Sequence, residues 1–313
     1  MLSSIQRLFA KISMELDSFD FLKQQDLPTG ALYVVATPIG NLGDITLRAL
    51  HILKTVEGIA CEDTRHSVAL LQQFGIHKKC LALHEHNEMA GAQTVIQHLA
   101  NHERWAYISD AGTPGVSDPG ARLVQAVHAA GFRVIPIPGA SAVAAAVSVG
   151  GSVLTAAEGR FQFLGFLPNK TKERDALLIQ IQKSVQASIF FESPHHIQDT
   201  LKLIGKALEP DRELMIGREL TKKFEQISFI RAADIPEWLT QSSSLKGEFV
   251  VMVAGRSVSK DLVSDDLLSL WVKALKPYLG SKEIAAVLSQ TLPVSKKEAY
   301  QAAIDSKAGD TKK

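Results

Sequence analysis

Glycine, carboxylate and imidazole groups gather in five short stretches of the 313-residue chain. They are Thr37-Pro38-Ile39-Gly40-Asn41-Leu42-Gly43-Asp44, Glu62-Asp63-Thr64-Arg65, His84-Glu85-His86-Asn87, Ser109-Asp110-Ala111-Gly112-Thr113-Pro114-Gly115-Val116-Ser117-Asp118-Pro119-Gly120-Ala121-Arg122, and Pro136-Ile137-Pro138-Gly139-Ala140-Ser141. Carboxylates and imidazoles can move protons or orient a polar acceptor. Glycines let the backbone come against a ligand that a side chain would hold away. The spacings exclude two common ligands. Gly112-Thr113-Pro114-Gly115 does not match the G-x-G-x-x-G of dinucleotide sites. Gly115 and Gly120 bracket four residues as in a phosphate loop, but Ala121-Arg122 stands where Lys and Ser/Thr are required, and Pro119 removes an amide donor. His84 and His86 would share one face of a strand, yet no third ligand accompanies them, so hydrogen-bonding roles are expected and no metal. There is no G-x-S-x-G elbow, and neither Cys61 nor Cys80 sits in an activating setting. What remains is a site that holds its ligand by the backbone, as a group-carrying cofactor requires. Plainer readings stand beside this one: a turn alone accounts for Gly40 and Gly43, and an exposed ion pair for Asp63 and Arg65.

These stretches must be carried on something. Apolar runs at 32–36, 58–61, 80–83, 105–109 and 133–137 alternate with helical patterns, the signature of a mostly parallel sheet covered on both faces. Each cluster follows a run, so all five should converge at the C-terminal ends of the strands, where open α/β sheets bind ligands. Asp118 as N-cap and Pro119 at the first position open one helix, with Leu123, Val127 and Ala130 on a face and Gly131 at its stop. A second series, at 161–164, 187–191, 214–217, 226–231 and 248–254, reads as another α/β domain with some antiparallel pairing, and Asp234-Ile235-Pro236-Glu237 opens a helix. His195 and His196 follow Ser193-Pro194 and are expected in the first turn of a helix. After Gly255 the pattern turns helical at 267–278 and 281–290, and Ser295-Lys296-Lys297-Glu298 is a capping box for a third helix, with a disordered tail expected from Lys307. The expected organisation is a 1–30 extension, α/β domains at 31–150 and 151–256, and a helix-turn-helix-like appendage at 262–306.

A formal charge of +1 leaves any attraction to nucleic acid local, to Lys170, Lys172 and Arg174, to Lys222 and Lys223, or to Lys296 and Lys297. Two lone cysteines suit a reducing compartment, and the cytoplasm is the natural expectation. The uncharged stretch 134–157 is divided by Pro136, Pro138, Gly139, Gly150 and Gly151, so a buried helix near 141–149 is expected rather than a membrane span. Ile5, Leu8, Phe9, Ile12 and Leu16 make the N-terminus an amphipathic extension, not a secretory signal, and Met14 could be the true start.

As a set, Thr37 to Thr46, Glu62-Asp63-Thr64-Arg65, Ser109-Asp110-Ala111-Gly112-Thr113-Pro114 with Ser117-Asp118-Pro119-Gly120, Pro138-Gly139-Ala140-Ser141 and Gly165-Phe166-Leu167-Pro168 resemble the tetrapyrrole methylase superfamily. Within it they are most similar to the members that methylate small-subunit ribosomal RNA. The resemblance runs from about Leu32 to Ile304. It implies an α/β fold of two domains with S-adenosylmethionine in the cleft between them, a homodimer, and 2′-O-methylation of a cytidine ribose in the decoding region of 16S rRNA, presented by the assembled 30S particle. It places Ala111, Gly112, Thr113 and Val116 against the cofactor, with Pro38, Gly40, Asp110, Ser141 and Ala142 beside it and Phe166, Leu167, Glu192, Gly217 and Gly247 on the second domain's wall. Many tetrapyrrole-modifying members carry G-G-D-P where this chain has Ala111-Gly112-Thr113-Pro114, a departure that weighs against a tetrapyrrole substrate.

Such a transfer needs oxygen, carbon and sulfur in line and a group to take the hydroxyl proton. Strand-end placement nominates Asp63, Arg65 and Glu85 around the acceptor, with Asn41 and Asp44 orienting it. Two other classes remain open: a small-molecule methyltransferase of the same fold, which would not need the C-terminal lysines, and a non-catalytic ligand-binding module, which would show no turnover.

Overall fold

The structure, a computed structural model, describes residues 20–83, 88–242, 244–256, 265–292 and 294–308. The cluster at 84–87, Glu85 included, lies outside the described residues, as do the first 19 positions and 309–313. The chain forms two compact units, Met1–Gly255 and Arg256–Lys313.

The first unit holds two five-stranded sheets. One is built from β1 (Ala31–Val35), β2 (Gly58–Cys61), β3 (Lys79–Ala82), β4 (Arg104–Ile108) and β5 (Arg133–Ile137), in the order β3-β2-β4-β1-β5. Every pairing in it is parallel. Strands buried on both faces are rich in apolar residues throughout, and side-chain alternation sends them to opposite cores. Tyr33, Val35, Ile59 and Ile108 pack under α2 (Leu47–Thr55) and α3 (Thr64–Gln73), while Leu32, Ala60, Trp105 and Tyr107 pack under α4 (Glu88–Ala100) and α5 (Ala121–Ala129). A short α1 (Asp20–Lys23) precedes β1 and contributes Leu22 to the first of these cores. β1 and β4 lie side by side, but the chain leaves β1 toward β2 and leaves β4 toward β5, that is, toward opposite edges. This is the switch point at which open α/β sheets place their crevice.

After β5, α6 (Ala142–Ser148) stands where a helix was expected near 141–149, a further helix α7 (Gly151–Thr155) follows it, and Ala146 and Val153 are buried against the second sheet. No helix among the described residues is long and apolar enough to cross a membrane. The second sheet comprises β6 (Phe161–Phe166), β7 (Ala187–Glu192), β8 (Glu213–Arg218), β9 (Gln226–Arg231) and β10 (Phe249–Val253), ordered β6-β7-β10-β8-β9. Only β6–β7 is parallel. Its other face is covered by α8 (Thr171–Lys183), α9 (Ile197–Ala207) and α10 (Ile235–Gln241) through Leu178, Ile181, Leu201, Ile204 and Ile235.

The second unit is α11 (Asp265–Leu275), α12 (Ser281–Thr291) and α13 (Lys296–Ala308), closed around Leu268, Val272, Ile284, Leu288, Ala299 and Ala303. The capping box forms: Glu298 N donates to Ser295 Oγ at 3.1 Å and Ser295 N to Glu298 Oε2 at 2.8 Å. α13 continues to Ala308, so the start of the expected tail is helical.

Two helix starts differ from expectation. α9 begins at Ile197, with Ser193 to His196 in a preceding turn whose Ser193 carbonyl accepts from His196 and Ile197. α5 begins at Ala121 rather than at Pro119. Its N-cap is Gly120, at φ +119°, and the capping oxygen comes from another helix: Glu88 Oε1 accepts from Gly120 N at 3.1 Å and Leu123 N at 3.4 Å. Tyr107 lies directly beneath Gly120 and leaves no room there for a Cβ. Because Glu88 meets the orphan amides of α5, the Asp118 carboxyl is free of the capping role that its spacing implied.

Candidate active site

The loops that follow β1, β4 and β5 are tied to one another. Thr37 and Gly112 exchange backbone hydrogen bonds of 2.8 and 3.1 Å, Thr113 Oγ1 donates to Ala140 O at 2.9 Å, and Thr37 Oγ1 to Ser109 O at 3.4 Å. Gly112 adopts φ +77°, and a Cβ there would come within 3.2 Å of Ile39 Cγ2. These loops form one side of a cavity of about 400 Å³, lined by Ile39, Ala111, Gly112, Thr113, Val116, Ser117, Asp118, Ser141 and Ala142. The second sheet supplies the other side with Phe166, Phe191, Glu192, Ser193, Pro194, Leu220, Lys222, Glu248, Phe249 and Val250.

Eight of the residues expected at a cofactor therefore line one cavity: Ala111, Gly112, Thr113, Val116, Ser141, Ala142, Phe166 and Glu192. The others sit behind it or away from it. Leu167 turns into the core of the second sheet, Gly217 lies under the cavity residue Leu220, and Gly247, at φ +101°, is packed against Glu219. Pro38 is buried beneath the first loop, and Asp110 accepts from Asp63 N at 3.2 Å. Gly40 touches the cavity wall indirectly: the stem of Lys222 crosses its Cα so closely that a Cβ would overlap Lys222 Cγ.

The proposed acceptor residues are spent elsewhere. Asp63 caps α3 and accepts from Arg65 N at 2.8 Å, while Arg65 closes on its other oxygen at 2.7 Å. The Arg65 hydrogen bonds hold the Asp63 carboxyl down at about 2, too weak a base to take a hydroxyl proton near neutrality. Asn41 caps the 3-10 turn Leu42–Asp44 through Gly43 N at 3.0 Å, and Asp44 is exposed on that turn. None of Asn41, Asp44, Asp63 and Arg65 lines the cavity.

Three ionisable groups that do line it, Asp118, Lys222 and Glu248, escaped the sequence reading. Asp118 was hidden behind its helix-cap spacing; burial above all, together with the nearby charges of Glu62 and Asp110, pushes its carboxyl up to about 6 against a stabilising bond from Ser109. Lys222 resembled part of a basic surface loop. Its ammonium instead binds Glu219 at 2.8 Å and Glu248 at 2.9 Å. Burial opposes its charge, but those two carboxylates outweigh burial and hold it above the ordinary lysine range. Glu192, almost fully buried, has both oxygens engaged, by Ser193 N and Thr200 Oγ1, each at 2.7 Å.

The Gly40–Lys222 contact makes a test of the cavity wall. In Gly40→Ala the new methyl group, at a φ of +145° that L-residues rarely adopt, must displace the lysine stem. The expected result is binding of a cavity ligand weakened by roughly fivefold, equivalent to about 1 kcal/mol, read by calorimetry. Unchanged affinity would mean that the lysine stem does not shape the cavity.

Comparison with known proteins agrees with this geometry. The profile of the tetrapyrrole (corrin/porphyrin) methylases matches residues 31–236. Curated relatives named ribosomal RNA small subunit methyltransferase I include that of Pasteurella multocida, 42% identical over 277 residues, covering 87% of this chain and 96% of the relative. That of Escherichia coli O157:H7 is 40% identical over 282 residues, covering 90% and 96%. The chain belongs to the ribosomal RNA small subunit methyltransferase I family, within the tetrapyrrole methylases. Solved structures share the fold: the methyltransferase CobJ superposes with a TM-score of 0.54 at 19% identity, covering 72% of this chain and 95% of that one. A uroporphyrin-III-C-methyltransferase from Thermus thermophilus gives 0.50 at 18%, covering 72% and 94%.

The methyl donor of these methylases is S-adenosylmethionine. The cavity fits such a molecule: its volume falls in the range of small-ligand sites. Gly112 leaves backbone where a side chain would intrude, and Phe166 and Leu220 offer apolar walls.

Proposed function

We propose that the chain transfers a methyl group from S-adenosylmethionine to the ribose 2′-hydroxyl of a cytidine in the decoding region of small-subunit ribosomal RNA, acting as a homodimer in the cytoplasm on the assembled particle. The observation that carries this reading is identity of about 40% sustained over 96% of relatives whose name states the small-subunit RNA, in a chain that keeps a donor-sized cavity at the switch point.

The donor, when bound, supplies a methyl carbon carried on a sulfonium. The chain's part is to hold and aim. The cross-linked loops around Thr37, Gly112, Thr113 and Ala140 provide a fixed backbone surface, so alignment costs little reorganisation at the moment of transfer. Phe166, Leu220, Phe249 and Val250 exclude water from the other side. For the RNA, only some of the lysines first expected keep their charge available. Lys222 is committed inside the cavity and Lys170 is paired with Glu173 at 3.3 Å. Lys223 stands beside the well-exposed Phe224 ring, 5.6 Å from its centroid, an arrangement suited to a phosphate and an unstacked base. Lys296 and Lys297 are exposed at the start of α13.

The test is transfer of labelled methyl groups to small ribosomal subunits from cells lacking the gene, in parallel with free ribosomal RNA, with the modified nucleoside identified by mass spectrometry. Label on a cytidine ribose in the subunits is expected. Donor binding without label on either substrate would sink the RNA reading and direct the search to small-molecule acceptors.

A further inference from the structure

The ionisable groups of the cavity differ in what remains for them to do. Glu192 has both carboxylate oxygens bonded within the second sheet's domain. Glu248 and Lys222 neutralise each other, with Glu219 behind them. Of these groups Asp118 alone has neither an ion pair nor both carboxylate oxygens bonded among the described residues, since Glu88 has taken over the amides at the start of α5. We propose that Asp118 is the general base that takes the proton of the acceptor hydroxyl, a role that rests on the 2′-O-methylation reading above.

The step balances. The hydroxyl oxygen forms its bond to the methyl carbon as the carbon–sulfur bond breaks, and that bond's electron pair stays on sulfur, turning the sulfonium into a neutral thioether. The hydroxyl proton passes to Asp118 and then to solvent. Every element around Asp118 bears on its basicity. Glu62 follows β2, Asp110 follows β4, Tyr107 lies within β4 and Glu88 opens α4; across the cavity stand Glu192 at the end of β7, Glu248 before β10, and Lys222. The near groups are acidic or neutral, which favours the protonated form, and the carboxyl sits at about 6. A base of that strength is ionised at neutral pH and still able to hold a proton during transfer.

Asp118→Asn keeps the shape and removes the basic oxygen. Single-turnover transfer to small subunits is measured across pH, together with calorimetric binding of S-adenosylmethionine and a melting curve. In the wild type the rate should rise with pH through about 6 and then level off, because the carboxylate must be ionised to act. The variant should lose roughly 100-fold or more in rate and lose that pH limb, with donor affinity within about twofold of wild type. Asp118→Glu, which restores a carboxylate, should recover part of the rate and, if the asparagine variant does not fold, provides the decisive profile through a displaced limb. A folded Asp118→Asn with undiminished transfer, or with its pH limb intact, overturns the assignment. So does a loss of donor affinity that matches the loss of rate, which would make Asp118 a holder of the donor's positive charge. A wild type that binds donor yet labels neither subunits nor free RNA overturns the RNA reading, and with it the base assigned to that acceptor.

Discussion

Gly120→Ala should destabilise the first unit by about 2–5 kcal/mol, with cofactor binding reduced in whatever fraction still folds. Two independent costs add. The residue sits at φ +119°, where an L-side chain loses about 1–2 kcal/mol. The new Cβ also overlaps the ring of Tyr107, a fully buried side chain, and overpacking of this kind costs about 1–3 kcal/mol. Tyr107 has little freedom to yield: it lies within a central strand and is closed in on every side by the core. Thermal melting measures the sum. Combining the change with Tyr107→Leu separates the parts, because a smaller side chain below removes the overlap and not the backbone strain; the pair should be less than additive by about 1 kcal/mol or more. Strict additivity would assign the whole effect to the backbone.

Glu88→Ala is the second large effect, at about 2–3 kcal/mol, because it strips the acceptor from two buried amides. Gly120 N and Leu123 N both donate to Glu88 Oε1, and the carboxyl is only 6% exposed. For a unit of this size the loss corresponds to a fall of roughly 5 °C or more in Tm. The lesion is not confined to stability. Residues 111–118 carry six of the cavity's lining positions on the loop that Glu88 secures at its far end, so donor affinity should fall with it. Glu88→Gln keeps an acceptor oxygen at the same reach and should recover most of both quantities. Equal losses in the Gln and Ala variants would mean that charge, through Arg122 at 4.0 Å, and not the amide bonds, holds the loop.

These two positions also show where reading from sequence stopped. The strands were legible because their signal is local: runs such as Trp105-Ala106-Tyr107-Ile108 are apolar and short, and turn residues bound them. The β-then-helix alternation likewise gives parallel pairing, since the crossovers need helices. The convergence of the strand-end loops followed from that fold class, and the Thr37–Gly112 bridge realises it for two of them. Asp118-Pro119 carried a valid local cap signal, but the competing acceptor, Glu88, stands 32 residues upstream of Gly120 and nothing near it in sequence marks it as a cap. Lys222-Lys223 read as one basic pair although folding gives the first to two carboxylates and leaves the second at the surface, a division that depends on Glu219 and Glu248 meeting across β8 and β10. Leu167 and Phe166 adjoin in the chain and diverge in space because successive residues leaving a strand face opposite ways. The second-sheet wall, Phe166 and Glu192 included, came from resemblance alone, since no spacing argument links it to residues 111–118.

The strand order of the first sheet sets the timetable on which a ribosome can deliver it. β1 pairs only with β4 and β5, and its partner in β4 begins at Arg104, so roughly 70 residues separate the end of β1 from the nearest strand that can satisfy it. At about 5–20 residues per second, the nascent chain carries β1 with both edges bare for several seconds. During that interval β2 and β3 can already pair with each other, while Leu32, Tyr33 and Val35 have no sheet to enter. The exposed intermediate is therefore an apolar strand near the leading end of the chain, the form most open to holdase chaperones and to mispairing, and it closes only when the residues through Ile137 have left the tunnel.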